Sequence, residues 1–329
     1  MGSLYSYLFF IKWRNNMSSV NVLDKRRTAK SAWNRDFSMN WPVYLLVLPV
    51  VAYFFIFSYL PMGGLLMAFE NFSPIRGLFG SDWVGLDNFV QFFSAPDFFQ
   101  VLRNTLVISL LGLTIGFPLT ILYALLLNEI YAKAFKKITQ TISYLPYFVS
   151  MVVICGLIID FVSTNGVITD IMVMFGMKRQ NLLMNANYFW GINLISDIWQ
   201  GLGYGSIIFI AAISAISPEM HEAAIIDGAN RFKRVLHVTI PGIMPVIITM
   251  LILRLGMLMS VGFDKILLLY NPTIYSTADV ISTNVQRMGL EQMQFSYATA
   301  VGLFNSVVGT ILLLGSNALA RKYSDTSIL

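Results

Sequence analysis

The sequence predicts an all-helical integral membrane protein that crosses the bilayer about six times, with both termini on the cytoplasmic side. Three observations predict it: a composition poor in charge, six apolar stretches of spanning length, and a one-sided distribution of Lys and Arg. Hydrophobic residues fill 56% of the 329 positions and charged residues only 12%, whereas a soluble domain carries roughly 25% charged residues. A chain with so little charge cannot cover a water-facing surface, so its apolar excess faces the lipid bilayer. The net charge of +5 is small for a nucleic-acid binder, and no nucleic-acid partner is expected. One cysteine, Cys155, excludes an internal disulfide and any multi-cysteine metal site. His221 and His237 lack the H-E-x-x-H spacing, so no zinc site is expected.

A span needs about 20 apolar residues. The stretches that qualify are 42–69, 101–127, 138–162, 189–213, 243–263 and 297–320. Backbone amides cannot stay unpaired in hydrocarbon, so each is expected as a helix. Barrel-type alternation and internal repeats are both absent from the sequence.

Residues 1–41 are expected as a cytoplasmic tail, 42–323 as the transmembrane domain and 324–329 as a short C-terminal tail. The opening LYSYLFFI is too short to span, and no small-residue cleavage site follows it, so no cleavable signal peptide is expected. Basic residues Lys12 to Lys30 come next. They fit either an interfacial helix lying on the membrane or a disordered tail whose natural start is Met17.

Orientation follows from the basic residues. With the N-terminus inside, the cytoplasmic segments hold fifteen Lys and Arg: seven in the tail, Lys133, Lys136, Lys137, Arg231, Lys233, Arg234, Arg321 and Lys322. The outer segments hold six: Arg76, Arg103, Lys178, Arg179, Lys265 and Arg287. Loops 70–100, 164–188 and 264–296 therefore face outward, and 214–242 faces the cytoplasm. Segment 82–99 is rich in aromatic residues, which suits a membrane–water interface.

Loop 217–241, SPEMHEAAIIDGANRFKRVLHVTIP, is the most informative segment. Ser217 can cap free amides and Pro218 suits the first helical position. Glu219 and Glu222 then lie near the positive end of that helix, and Gly228 can end it in a left-handed turn. A second short helix, about 231–237, carries Arg231, Lys233 and Arg234, and Pro241 and Pro245 follow as the next span begins. Small Ala223 and Ala224 let another surface approach closely. The segment reads either as a helix-turn-helix that plugs into a groove on a partner protein or as a solvated connection between two spans.

Glu222-Ala223-Ala224, Asp227-Gly228-Ala229 and Ile240-Pro241 closely resemble the EAA loop of bacterial ABC importer permeases. Further segments agree: WVGLDNF (83–89), RNTL (103–106), YLPYFVS (144–150) and WQGLGYGSIIF (199–209) look like the carbohydrate-importer branch. GFDKILLLYNP (262–272) and SYATAVGLFNSVVG (296–309) resemble its polysaccharide-type members. The resemblance spans about residues 40–325. It implies a type I importer transmembrane domain whose coupling helix, about 217–228, docks into a cytoplasmic ATPase dimer. A second, different permease subunit and an extracytoplasmic solute-binding protein are the other implied partners. Glu222 is the implied anchor, with Glu219, Ala223, Ala224, Asp227, Gly228 and Arg231 completing the coupling segment. No G-x-x-x-x-G-K-[ST] phosphate loop occurs in the chain, so no cofactor is expected on it; ATP and Mg belong on the ATPase subunits. No catalytic residue is expected.

Intramembrane polar residues are functional candidates by default. Arg254 near the middle of the fifth stretch either lines the substrate path and attracts an acidic sugar, or pairs with a carboxylate or backbone carbonyls to stabilise the bundle. Asp160 and Asp197, in or near the third and fourth stretches, are further path candidates. Trp199, Tyr204, Tyr270 and Tyr275 fit sugar stacking or interfacial anchoring. Gly201, Gly203 and Gly205 fit tight packing or local unwinding. The competing classes are a secondary transporter or channel working without an ATPase, which lacks visible inverted repeats, and a membrane-embedded enzyme, which lacks a recognisable catalytic cluster.

Overall fold

The computed structural model describes residues 29–323; the interfacial-helix and Met17 readings and tail 324–329 lie outside them. Among the described residues, six helical stretches are long and apolar enough to cross a membrane. They are span one, Asp36–Phe69; span two, Phe98–Asn128; span three, Met151–Met174; span four, Ala186–Ser214; span five, Arg231–Gly256; and span six, Phe295–Lys322.

The described chain forms two compact units, one up to Gly63 and one from Gly64 on. In the first, helix Ala29–Phe54 begins inside the expected tail and kinks at Asn40, two residues before Pro42. A proline ring clashes with the carbonyl four residues back, which accounts for the bend there. A wide turn, Phe55–Tyr59, continues the helix.

The second unit opens with a two-stranded hairpin, β1 (Glu70–Asn71) against β2 (Asp82–Trp83), in which Glu70 faces Trp83. Asn88 ties helix Asp87–Ser94 to it by donating to the carbonyls of Ala68 and Glu70, both at 3.0 Å. Phe92, Phe98, Val101, Met259, Ile281, Tyr297 and Val301 form a core beneath this outer segment. A second core (Ile154, Cys155, Ile158, Phe189, Ile266, Leu269) binds spans three and four to the outer loop, and a third (Phe117, Ala124, Phe209, Ile213, Ile243) joins spans two, four and five on the cytoplasmic half. Small residues permit close helix contact. Gly309 lies against the Gly256 carbonyl, where an added Cβ would come within 2.9 Å.

Two expected spans have different limits. The stretch 138–162 is interrupted: helix Lys133–Tyr144 ends in the tight turn Leu145–Phe148, Val149 and Ser150 are extended, and a new helix starts at Met151. Pro146 cannot donate within a continuing helix, and Ser150 caps the new one by facing the Val153 amide. This second helix ends at Val162, and a turn at 163–166 leads into helix Val167–Met174. Span five, by contrast, is longer at its inner end than expected. Its first four residues, Arg231–Arg234, run through a wide turn, Val235–Thr239, into Ile240–Gly256 without a break. The wide turn gives Pro241 room where a regular turn would clash. At the outer end, span five stops at Gly256, and a separate helix, Phe263–Leu269, follows.

Candidate functional site

The cytoplasmic loop between spans four and five holds the first group of predicted residues. Pro218 occupies the first turn of helix Pro218–Ile226, as expected. Ser217 sits in extended geometry at the cap position, but its side chain caps nothing; only its carbonyl accepts, from the Met220 amide at 3.1 Å. Gly228 has φ +76°. Its amide bonds the Ile225 carbonyl at 3.0 Å, and the Ala229 amide bonds the Ala224 carbonyl at 2.9 Å. These two bonds make a Schellman closure, which requires a left-handed residue at that point. Two short alanines, Ala224 and Ala229, lie half-buried at this closure, so the turn is stiff.

Asn230 then starts span five: its side chain accepts from the Lys233 amide at 2.9 Å. This cap was missed at the sequence level, although an Asn just before a basic helical run is a start signal. Arg231 lies over the Tyr131 ring at 4.6 Å, which holds the loop against the connection after span two. Inside, Ile216 fills the space beside Gly242, leaving no room for a Cβ. Glu219, Glu222, Ala223 and Asp227 are all exposed, and the three carboxylates form no ion pair among the described residues. Met220, Ile225 and Phe232 are exposed as well, and Ile226 is 86% exposed. Glu219, Glu222, Ala223 and Ile226, spaced for one helical face, therefore put acidic and apolar groups side by side on it.

The path candidates are scattered. Arg254 lies in the last turn of span five, an end that is itself within the bilayer, since Gly256 packs on Gly309, fourteen residues into span six. Its guanidinium stands 5.3 Å from the Phe117 ring centre and makes no ion pair among the described residues. Asp197 accepts from Lys265 at 2.7 Å and from Asn193 at 2.9 Å. Lys265 also donates to the Asn193 carbonyl at 2.9 Å and is only 2% exposed. Burial pulls its ammonium below the usual lysine range, and the neighbouring Asp197 works against that shift. Sequence reasoning placed Lys265 in an outer segment without finding its burial; its neighbours Ile266 and Leu269, apolar at helical spacing, were the available signal. Asp160 ends helix Met151–Val162 with its side chain exposed.

Tyr204 stacks on Tyr147 with ring centres 3.7 Å apart, and Phe148 meets it edge-on. Tyr147 and Phe148 belong to the interruption after helix Lys133–Tyr144. Span four stays helical beside it, so its glycines serve packing rather than unwinding: a Cβ on Gly203 would fall 2.2 Å from the Ser143 carbonyl. Gly205 packs on Thr120, while Gly201 has open space. Gly203 is eleven residues from the inner end of span four at Ser214, about 16 Å along the helix and near the middle of a core about 30 Å thick. The aromatic cluster is thus at mid-membrane depth. Trp199 is exposed and lines a different, apolar cavity of about 570 Å³ between spans three and four. Tyr270 and Tyr275 stack on each other at 5.0 Å, with Arg287 over the Tyr275 ring.

Six crossing helices, a stiff inner loop with an unpartnered acidic and apolar face, and polar groups at the middle and outer depths define a membrane permease component. The chain belongs to the family described as binding-protein-dependent transport system inner membrane component, whose model matches residues 112–325. It is a multi-pass inner-membrane permease subunit of an ABC importer. The polygalacturonan/rhamnogalacturonan transport system permease protein YteP of Bacillus subtilis (strain 168) is 42% identical over 287 residues, 87% of this chain and 89% of the relative. Protein LplB of the same organism is 42% identical over 299 residues, 91% of this chain and 93% of the relative. The crystal structure of a bacterial alginate ABC transporter in complex with alginate pentasaccharide-bound periplasmic protein contains a similar chain. That chain is 40% identical, with a TM-score of 0.83 covering 89% of this chain and 99% of that one.

Proposed function

We propose that this chain is one of two different permease subunits of an ATP-driven importer that brings a uronate-rich oligo- or polysaccharide into the cytoplasm. The observation that carries the coupling role is the Schellman-closed helix Pro218–Ile226, with Glu222 exposed on a face shared with Glu219 and Ile226. Its occupant is a separate ATPase dimer, on which ATP and Mg bind. Closure of that dimer displaces the helix, and the rigid turn at Gly228 passes the displacement into span five rather than losing it to bending. A solute-binding protein delivers the saccharide from outside. Support for an acidic saccharide comes from the relatives named for polygalacturonan and alginate transport, and from Arg254, a cation in the last turn of span five with no carboxylate partner among the described residues.

Co-expression of the chain with its ATPase, second permease and binding protein tests the reading. Glu222→Ala removes the anchor of a docked charge contact, worth about 2 kcal/mol or roughly thirtyfold in ATPase affinity. Gly228→Val strains the left-handed turn by about 1–2 kcal/mol. Both variants are expected to insert in the membrane yet lose ATPase on purification and lose ATP-dependent uptake. Normal uptake by both would overturn the coupling role.

A further inference from the structure

Two cytoplasmic segments carry six cations: Lys133, Lys136 and Lys137 after span two, and Arg231, Lys233 and Arg234 at the root of span five. Arg231 lies over the Tyr131 ring at 4.6 Å, two residues before Lys133, and this contact draws the two segments together. None of the six forms an ion pair among the described residues, and Lys133, Lys137, Arg231 and Lys233 are exposed. Lys133 and Lys137 stand one helical turn apart, a spacing at which like charges destabilise a helix. Both also lie toward the positive end of helix Lys133–Tyr144, which has no acidic residue in its first turn. The helix therefore gains from an anion supplied outside the chain.

Depth selects the kind of anion. Ser143 packs directly on Gly203 at mid-membrane, and Lys133 is ten residues nearer the inside on the same helix. Ten residues cover about 15 Å, half of a hydrocarbon core about 30 Å thick. Lys133 therefore stands where the headgroups of the inner leaflet begin. Phe135, Ile138 and Ile142, spaced for one helical face, are all exposed and run from that level up to acyl-chain depth. A phospholipid offers both parts in one molecule, a phosphate at the surface and apolar chains beside the stripe. The neighbouring loop carries the exposed carboxylates Glu219, Glu222 and Asp227, so a protein surface charged to match them repels the cations beside it.

We infer that the two basic segments form a headgroup site for an anionic phospholipid of the inner leaflet. Its phosphate lies among Lys133, Lys137, Arg231 and Lys233, and its acyl chains run along Phe135, Ile138 and Ile142. Flexible lysine stems reach around the helix along apolar surface while their ammonium groups stay in the polar layer. Each basic residue beside an anionic membrane surface strengthens binding about fivefold. The bound lipid bridges the connection after span two to the first turn of span five.

The test places a bimane fluorophore on Ile138→Cys in the complete importer, reconstituted in nanodiscs of phosphatidylcholine. The native Cys155 is 1% exposed and stays unlabelled. A minor fraction of the lipid carries a quenching doxyl group on its acyl chain, under either a phosphatidylglycerol or a phosphatidylcholine headgroup. With salt screening part of the attraction, phosphatidylglycerol is expected to associate beside Ile138 about tenfold more strongly. The triple variant Lys133→Gln, Lys137→Gln and Lys233→Gln is expected to abolish that preference, and the same three positions changed to Arg to keep it. Equal quenching by the two lipids with the lysines intact, or a preference that the Gln triple leaves unchanged, overturns the site. Loss of the preference in the Arg triple also overturns it, because the lysines then act through the fold rather than through charge. A fluorophore that neither lipid quenches does the same, since another protein chain then covers the face.

Discussion

Arg254 shows how the meaning of one side chain depends on the partners around it. At the centre of a bilayer a lone guanidinium demands a partner. In the last turn of span five it complements the negative end of the helix and rests on Phe117, with no carboxylate partner among the described residues. On the proposed reading, such a group attracts an anionic sugar without being consumed by a structural ion pair. Arg254→Gln is therefore expected to slow uptake of oligogalacturonate about tenfold, the value of one charge-assisted contact near 1.4 kcal/mol, with the methyl-esterified oligomer unaffected. Equal rates for charged and neutral oligomers in the variant would remove Arg254 from the path. Residue identity alone could not show that the helix stops two residues later, because the sequence does not mark where span five ends. The roles of Gly228 and Pro218 were legible, since each conformation they favour has few other residues that fit it.

At the scale of elements, span five is the part that the proposed coupling role uses as a lever. Its 26 residues, Arg231–Gly256, form one continuous helix, about 39 Å long, rooted directly behind the Gly228 turn. Apolar length revealed that a span was there but not that the basic segment 231–237 is its first turns, because Pro241 and Pro245 read as a boundary. The interrupted stretch 138–162 failed in the opposite direction: composition stayed apolar through Pro146, and only the extended Ser150 reveals the break. Hydrophobicity reports burial in lipid, whereas continuity is set by backbone hydrogen bonding. The buried tie between Lys265 and Asp197 fastens the outer helix Phe263–Leu269 to span four. Asp197→Ala leaves a buried ammonium without its anion, and since Asp197 is half exposed, the expected loss is about 2 kcal/mol, below that of a fully buried pair. Adding Lys265→Met is expected to recover most of the lost thermal stability. A double variant no more stable than Asp197→Ala would show that the tie acts through packing alone.

For the whole molecule, the apolar window of span one has none of its residues buried within the chain, and the coupling loop presents an acidic and apolar face to the cytoplasm. The first is covered by lipid or by another chain; the second faces water until a protein covers it. The account as a whole stands on that second surface being the place where force enters. An engineered cysteine at Ala223 tests it most directly, with single cysteines along the ATPase surface, in the complete importer in native membranes. The account predicts disulfide cross-links to the ATPase that form readily and whose yield changes when ATP is bound. A subunit that transports saccharide while Ala223→Cys never cross-links to an ATPase, or that is labelled at this cysteine by a membrane-impermeant reagent added outside, would contradict it.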